Sequence, residues 1–178
     1  MTDPVQRVVL IGYMCSGKST VGAALARRLE WSFVDLDAEI EHLTGGSVKA
    51  LVQAQGERAL RALEDELTGR LAGCREVVLA PGGGWITVPD RLDALGPGTL
   101  AVWLQASPET IVRRVDQDPR ERPFRDHPDP LEAVGRMLDA RDPFYRLADF
   151  SVVTDRRSAE AVAIEIEAVV RRVGGARS

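Results

Sequence analysis

The sequence predicts an α/β fold, a five-stranded parallel sheet flanked by helices on both faces. Three features predict it. Short apolar runs alternate with helix-period segments along the whole chain. The runs are continuous rather than alternating, as in strands buried on both sides. The first of them, Val8-Val9-Leu10-Ile11, leads into Gly12-Tyr13-Met14-Cys15-Ser16-Gly17-Lys18-Ser19-Thr20 and then into the helix-like stretch Val21 to Leu29. That segment fits G-x-x-x-x-G-K-[ST], and strand, glycine-rich turn and helix in this order are the context of a phosphate-binding loop.

The chemistry of such a loop follows from its parts. The glycines let the backbone curl so that N–H groups point at phosphate oxygens, and the helix N-terminus adds partial positive charge. Gly12, Cys15, Ser16, Gly17, Lys18, Ser19 and Thr20 are therefore candidate nucleotide contacts. Lys18 is placed to reach the β- and γ-phosphates, and the Ser19 hydroxyl suits Mg²⁺. Cys15 occupies a variable position of the motif and is read as incidental rather than nucleophilic.

Five strands are expected. They are Arg7 to Ile11, the stretch Trp31 to Asp37, Glu76 to Ala80, Thr99 to Leu104 and Phe150 to Thr154. Between the second and third lie three short helices, Ala38 to Leu43, Val48 to Ala54 capped by Ser47, and Glu57 to Leu71. Together they read as a helical insertion over the sheet, residues 38–72. Pro89 to Leu95 forms a short helix, and Ser107-Pro108-Glu109 starts another that reaches about Val115. Leu131 to Ala140 is a helix with Arg141 on its last turn, and Ser158 caps a final helix through Val173. The segment 116–130 differs. It holds four of the ten prolines and the arginines Arg120, Arg122 and Arg125, and it is long for a connection, which marks it as a mobile lid.

At 178 residues the chain is expected to be one domain, and 44% hydrophobic residues can build its core. A net charge of −4 argues against a nucleic-acid surface. No apolar run is long enough to span a bilayer, and Met1-Thr2-Asp3-Pro4 lacks the features of a secretion signal. A cytoplasmic monomer acting on a small molecule is the expectation. Cys15 and Cys74 form no metal or redox motif.

Ligands of parallel sheets bind at the carboxyl ends of the strands, where the loop, Asp35 and Asp37, and Gly82-Gly83-Gly84 all fall. Asp35 and Asp37 are two apart, so in an extended chain both point to one side. One can hold Mg²⁺ through water, and the other can accept a hydrogen bond, or the proton, from a substrate hydroxyl. The three glycines allow close backbone approach to a ligand. By spacing alone, Arg61 and Glu64 read as a surface i,i+3 ion pair worth about 0.2–0.5 kcal/mol. Arg120 and Arg122 could stabilise a transferring phosphate when the lid closes.

Taken in order, these markers resemble the shikimate kinase family from about Arg7 to Val170. They are the phosphate loop, Asp35-Leu36-Asp37 with Glu39-Ile40 and Thr44-Gly45, Gly56-Glu57 before Arg61-x-x-Glu64, Gly82-Gly83-Gly84, Arg122-Pro123, and Arg141-x-Pro143-x-Tyr145 before Ala148-Asp149. The resemblance implies a P-loop kinase of the nucleoside-monophosphate-kinase-like type, with residues 38–72 binding the acceptor. It implies ATP and Mg²⁺ as cofactors, and shikimate phosphorylated at its 3-hydroxyl for aromatic amino-acid biosynthesis. Asp37, Arg61 and Arg141, with the backbone of Gly82, Gly83 and Gly84, would hold shikimate, the two arginines taking its carboxylate. Asp37 would orient the attacking hydroxyl, Ser19 and Asp35 would serve Mg²⁺, and Lys18 and Arg122 would stabilise the transition state. The loop Asp155-Arg156-Arg157-Ser158, with Arg157 the candidate contact, would border the adenine, and Arg114 would stack on it. Pro81, Trp85, Leu60 and Val52 depart from the family's usual residues, all at positions that line or support the acceptor pocket. Two alternatives stand beside this: a kinase of another small hydroxy acid such as gluconate, and a nucleotide-binding module without turnover.

Overall fold

The computed structural model describes residues 4–119, 124 and 126–174. Among these, five strands form one parallel sheet: β1 (Arg7–Ile11), β2 (Ser32–Asp35), β3 (Val77–Ala80), β4 (Thr99–Gln105) and β5 (Phe150–Val153), in the order β2-β3-β1-β4-β5. The helices are α1 (Lys18–Leu29), α2 (Leu36–Thr44), α3 (Val48–Gln55), α4 (Glu57–Ala72), α5 (Arg91–Ala94), α6 (Pro108–Gln117), α7 (Pro130–Tyr145) and α8 (Ala159–Gly174), with a 3₁₀ turn at Trp85–Thr87. The expected sheet is therefore present, and so are the three helices between β2 and β3.

The inner strands β1 and β3 are buried along their whole length because each face packs on helices. Along β1, Val8 and Leu10 point to one side, where α1 contributes Val21, Ala24 and Leu25 and α8 contributes Val162, Ala163 and Ile166. Val9 and Ile11 point to the other, against Leu36 and Ile40 of α2, Leu60, Leu67 and Leu71 of α4, and Tyr145 of α7. Fully burying one such aliphatic side chain is worth about 1.5–3 kcal/mol. Arg27, Arg28, Glu160 and Glu167 add ion pairs between α1 and α8 at 2.6–2.9 Å, and exposed pairs of this kind contribute little.

Local signals account for most element ends. Ser47, Ser107 and Ser158 accept the backbone N–H three residues on, at 3.1–3.2 Å. Gly45, at φ 69°, closes α2. Three expectations need correction. Asp37 is not on the strand: β2 stops at Asp35, which caps α2 through its carboxylate, and Asp37 lies in that helix's first turn. The helix expected to end at Ala140 runs to Tyr145, through Pro143, so Arg141 is interior to it. Tertiary packing overrides the local stop: Tyr145 is fully buried and stacks on Trp103 at 5.6 Å between centroids. The helix expected over Pro89 to Leu95 is the single turn α5, preceded by the 3₁₀ turn.

The chain leaves β1 for β2 on one side and later crosses to β4 on the other. The reversal puts a crevice at the carboxyl end of β1, where the phosphate loop sits. Among the described residues, no helix is long and apolar enough to cross a membrane.

Candidate active site

The loop between β1 and α1 is built around its own lysine. Lys18 Nζ donates to the carbonyls of Gly12 and Tyr13 at 2.8 and 2.9 Å. Gly12 has φ 150°, and a β-carbon there would stand 2.7 Å from the Leu104 carbonyl, so the tight turn admits no side chain. Ser16 Oγ is buried without a hydrogen-bond partner among the described residues, and Ser19 and Thr20 stand exposed at the start of α1. Cys15 takes a left-handed φ of 56°. Arg114, on α6, braces the loop from outside. Its Nη1 donates to the Cys15 and Ser16 carbonyls at 3.0 and 3.1 Å, and its Nη2 donates to the Thr154 carbonyl at 2.9 Å. Burial lowers its pKa, with Arg113 adding to the effect. Arg157 instead donates to the carbonyls of Val153 and Ala161 and pairs with Glu165 at 2.7 Å.

Two hard oxygen donors meet beside Lys18. The Ser19 hydroxyl donates to Asp35 Oδ2, and Asp35 Oδ1 accepts from the Ala38 N–H at 3.3 Å. One exposed hydroxyl and one half-buried carboxylate are oxygen donors of the kind that fits Mg²⁺, which takes few protein ligands and keeps several waters.

The opposite wall is organised by the turn after β3. A β-carbon on Gly82 would lie 2.9 Å from Asp37 Oδ1, one on Gly83 would lie 3.3 Å from Arg141 Nη1, and one on Gly84 would lie 3.0 Å from Arg61 Nη2. Consecutive glycines thus each face one side chain, brought from α2, α7 and α4 respectively. Only hydrogen at these positions lets the three approach. Arg141 Nη1 and Tyr145 Oη both donate to the Gly83 carbonyl, at 3.1 and 3.3 Å. The Arg141 guanidinium lies 5.1 Å over the ring of Tyr13. Tyr13 is pushed up to about 12, chiefly by burial and against the pull of Arg141, so it stays neutral.

Burial also raises Asp37. Asp35, Glu64 and Glu41 push the same way, while Lys18 opposes them. A carboxylate so placed is more basic than an exposed aspartate. Two arginines and a basic carboxylate thus converge on one glycine turn, whose Gly83 lies beside the backbone of Gly12 and Met14 in the phosphate loop.

The structure therefore brings together Asp37, Arg61, Arg141 and the glycine turn on one side, and Lys18, Ser19 and Asp35 on the other. Arg120 and Arg122 lie outside the described residues. The surface-pair expectation for Arg61 and Glu64 is corrected: Glu64 is buried and also accepts from Arg91 Nη1, at 3.1 Å. Trp85 does not line the pocket. It is fully buried, and its Nε1 donates to Thr68 Oγ1 at 3.0 Å. Leu60 is likewise buried in the core, with Val52 packed against it. Sequence reasoning missed Tyr13, hidden at a variable loop position, and Arg91. The one available signal for Arg91 was its spacing, four residues before the buried Leu95 on one helical face.

Comparison with known proteins agrees with this geometry. A family model described as shikimate kinase matches residues 14–171. The chain is 40% identical over 164 residues to a shikimate kinase of Moorella thermoacetica, covering 92% of this chain and 94% of that one. It is 43% identical over 166 residues to a shikimate kinase of Thermus thermophilus, covering 92% and 89%. Among solved structures, a shikimate kinase from Acinetobacter baumannii in complex with shikimate superposes with a TM-score of 0.85 at 31% identity, covering 94% of each chain. A gluconokinase from Sinorhizobium meliloti shares the fold at a TM-score of 0.63 and 19% identity, covering 98% of this chain and 96% of that one. The chain is a small-molecule kinase, ATP-dependent like its relatives, and belongs to the shikimate kinase family.

Proposed function

We propose that this chain transfers the γ-phosphoryl group of ATP to the 3-hydroxyl of shikimate, in aromatic amino-acid biosynthesis. The observation that carries the reading is the convergence of Asp37, Arg141 and Arg61 on Gly82, Gly83 and Gly84. Two such cations suit the carboxylate of a cyclic hydroxy acid, and one base suits its hydroxyl. Arg61 and Arg141 would each offer a planar fork to the carboxylate, a geometry a lysine does not match. The glycine turn would let the ring approach the backbone. Asp37 would accept the hydrogen bond of the attacking hydroxyl and take its proton as the bond to phosphorus forms.

On the donor side, Gly12, Cys15, Ser16, Gly17 and Thr20 would wrap the phosphates. Lys18 would leave the Gly12 and Tyr13 carbonyls for the phosphate oxygens, and Arg122 would join it from the lid against the charge of the moving phosphoryl group. Ser19 and Asp35 would hold Mg²⁺, Asp35 through water, and the bound ion supplies charge neutralisation on the phosphates. Arg157 is the candidate neighbour of the adenine. In its present position Arg114 serves as a brace of the loop, and stacking on the base would require it to give up those carbonyls. The same reading takes the chain as a single kinase domain, 1–178, acting as a cytoplasmic monomer without nucleic-acid or membrane partners.

The test is ADP release by the purified protein with ATP and Mg²⁺, screened over shikimate, gluconate and other hydroxy acids. Release that depends on shikimate and falls steeply in Asp37→Ala supports the proposal. Turnover with gluconate alone replaces it with the second acceptor, and ATP binding without turnover on any acceptor replaces it with a non-catalytic module.

A further inference from the structure

Arg61 is not held by its own helix alone. Its Nη1 donates to Glu64 Oε2 at 2.7 Å, and the same oxygen accepts from Arg91 Nη1 at 3.1 Å. The Glu64 and Arg91 side chains are each 2% exposed, against 27% for Arg61. Arg91 is fixed from several directions. Its Nη2 contacts Asp65 Oδ1 at 2.8 Å and donates to the Arg61 carbonyl at 3.2 Å, and its guanidinium lies 5.7 Å over the ring of Trp85. Trp85 Nε1 donates to Thr68 Oγ1, whose hydroxyl donates to the Glu64 carbonyl at 2.7 Å. The chain of contacts thus closes on α4 by way of the 3₁₀ turn and α5.

A buried carboxylate must be neutralised. Were Arg61 the single partner of Glu64, the pair would be neutral and Arg61 would offer little charge to a ligand. Two guanidinium groups on one carboxylate oxygen change that balance. Arg91 shares Glu64 from the core side, so the two guanidinium groups and the one buried carboxylate leave one positive charge; the other two carboxylates of the cluster, Glu57 and Asp65, are 72% and 64% exposed. On the solvent side, Arg61 Nη2 faces Gly84 and, among the described residues, makes a long 3.4 Å contact to exposed Glu57. Asp65, 64% exposed, is well screened by water and offsets little of that charge.

We propose that Arg91 is a positioning residue for the acceptor. By sharing Glu64 it orients Arg61 and leaves that guanidinium's charge available to the acceptor carboxylate. The inference rests on the proposed function, since it assigns Arg61 to that carboxylate. Trp85, read from sequence as a departure near the pocket, becomes the surface on which Arg91 is set.

The test compares KM for shikimate, KM for ATP and melting temperature among wild type, Arg91→Met, Arg91→Lys and Asp65→Asn. Arg91→Met should raise the shikimate KM about tenfold, as for loss of one partner from a buried charge cluster, with the ATP KM within about twofold of wild type. Arg91→Lys should recover part of the loss, because it keeps the charge without the fork. Asp65→Asn, at an exposed carboxylate, should raise the shikimate KM about twofold by loosening one arm of Arg91. A folded Arg91→Met enzyme with the wild-type shikimate KM overturns the inference, as does a parallel rise in both KM values. If Arg91→Met does not fold, wild-type shikimate KM values in both Arg91→Lys and Asp65→Asn overturn it. A wild-type protein that releases no ADP with shikimate overturns the proposed function and this inference together, whereas an active wild type with unresponsive variants overturns the inference alone.

Discussion

Asp37 shows a conflict between stability and use. Burial raises its pKa, so the folded protein binds this proton more tightly than the unfolded chain. Its contribution to stability is complete below the unfolded carboxylate range and is lost as pH rises through the raised pKa. At neutral pH the ionised group therefore costs stability. Asp37→Asn should raise the melting temperature at pH 7 while lowering kcat roughly 10²–10⁴-fold, and thermal melts beside turnover would show both. In wild type, the acid limb of kcat/KM for shikimate should lie above the ordinary aspartate value of about 4, activity rising with pH through it. Arg61 makes a different kind of contribution, an ionic hydrogen bond to the acceptor. Arg61→Ala should raise the shikimate KM roughly 10–100-fold and leave the ATP KM near wild type; an unchanged shikimate KM removes Arg61 from the pocket.

At the scale of elements, the glycine turn after β3 separates function from folding. Gly84 has φ −92° and ψ −8°, which alanine adopts without strain, and the atoms nearest its would-be β-carbon are those of the Arg61 guanidinium, from 3.0 Å. Gly84→Ala should therefore keep the melting temperature within a few degrees of wild type while raising the shikimate KM on the order of tenfold, by displacing the guanidinium. The phosphate loop was legible from sequence because its parts are contiguous and strand, turn and helix each carry a local signal. On the acceptor side, the carboxylate for a substrate hydroxyl and the glycine turn were legible at the strand ends, whereas the roles of Arg61 and Arg141 were legible only through the family resemblance. Spacing alone made Arg61 and Glu64 a surface pair, because it carries no information about the Arg91 guanidinium that covers Glu64 from α5. Asp37 was read on an extended chain, because a strand end and a helix first turn look alike when the capping residue, Asp35, is itself acidic. The last turn of α7 was missed because Pro143 reads as a stop. What sustains that turn is the stacking of Tyr145 on Trp103, a contact across 42 positions of sequence.

At the scale of the molecule, the candidate acceptor wall exists only when α2, α4, α7 and the β3 turn have all docked. A ligand bound there stabilises the native state and not the unfolded chain. Shikimate at about 100 times its Kd should add roughly 2.7 kcal/mol, a rise in melting temperature of roughly 5–10 °C, and Arg141→Ala should abolish most of it. The two walls also differ in how they can be inherited. The phosphate-binding part of the donor wall is one uninterrupted stretch, Gly12 to Thr20, with Asp35 added from the end of β2. The acceptor wall is scattered in pieces at Asp37, Arg61, Gly82 to Gly84 and Arg141, and no fragment carries it. It can drift one side chain at a time while the donor stays fixed. Descendants of such a chain should diversify in what they phosphorylate long before they change the nucleotide they use.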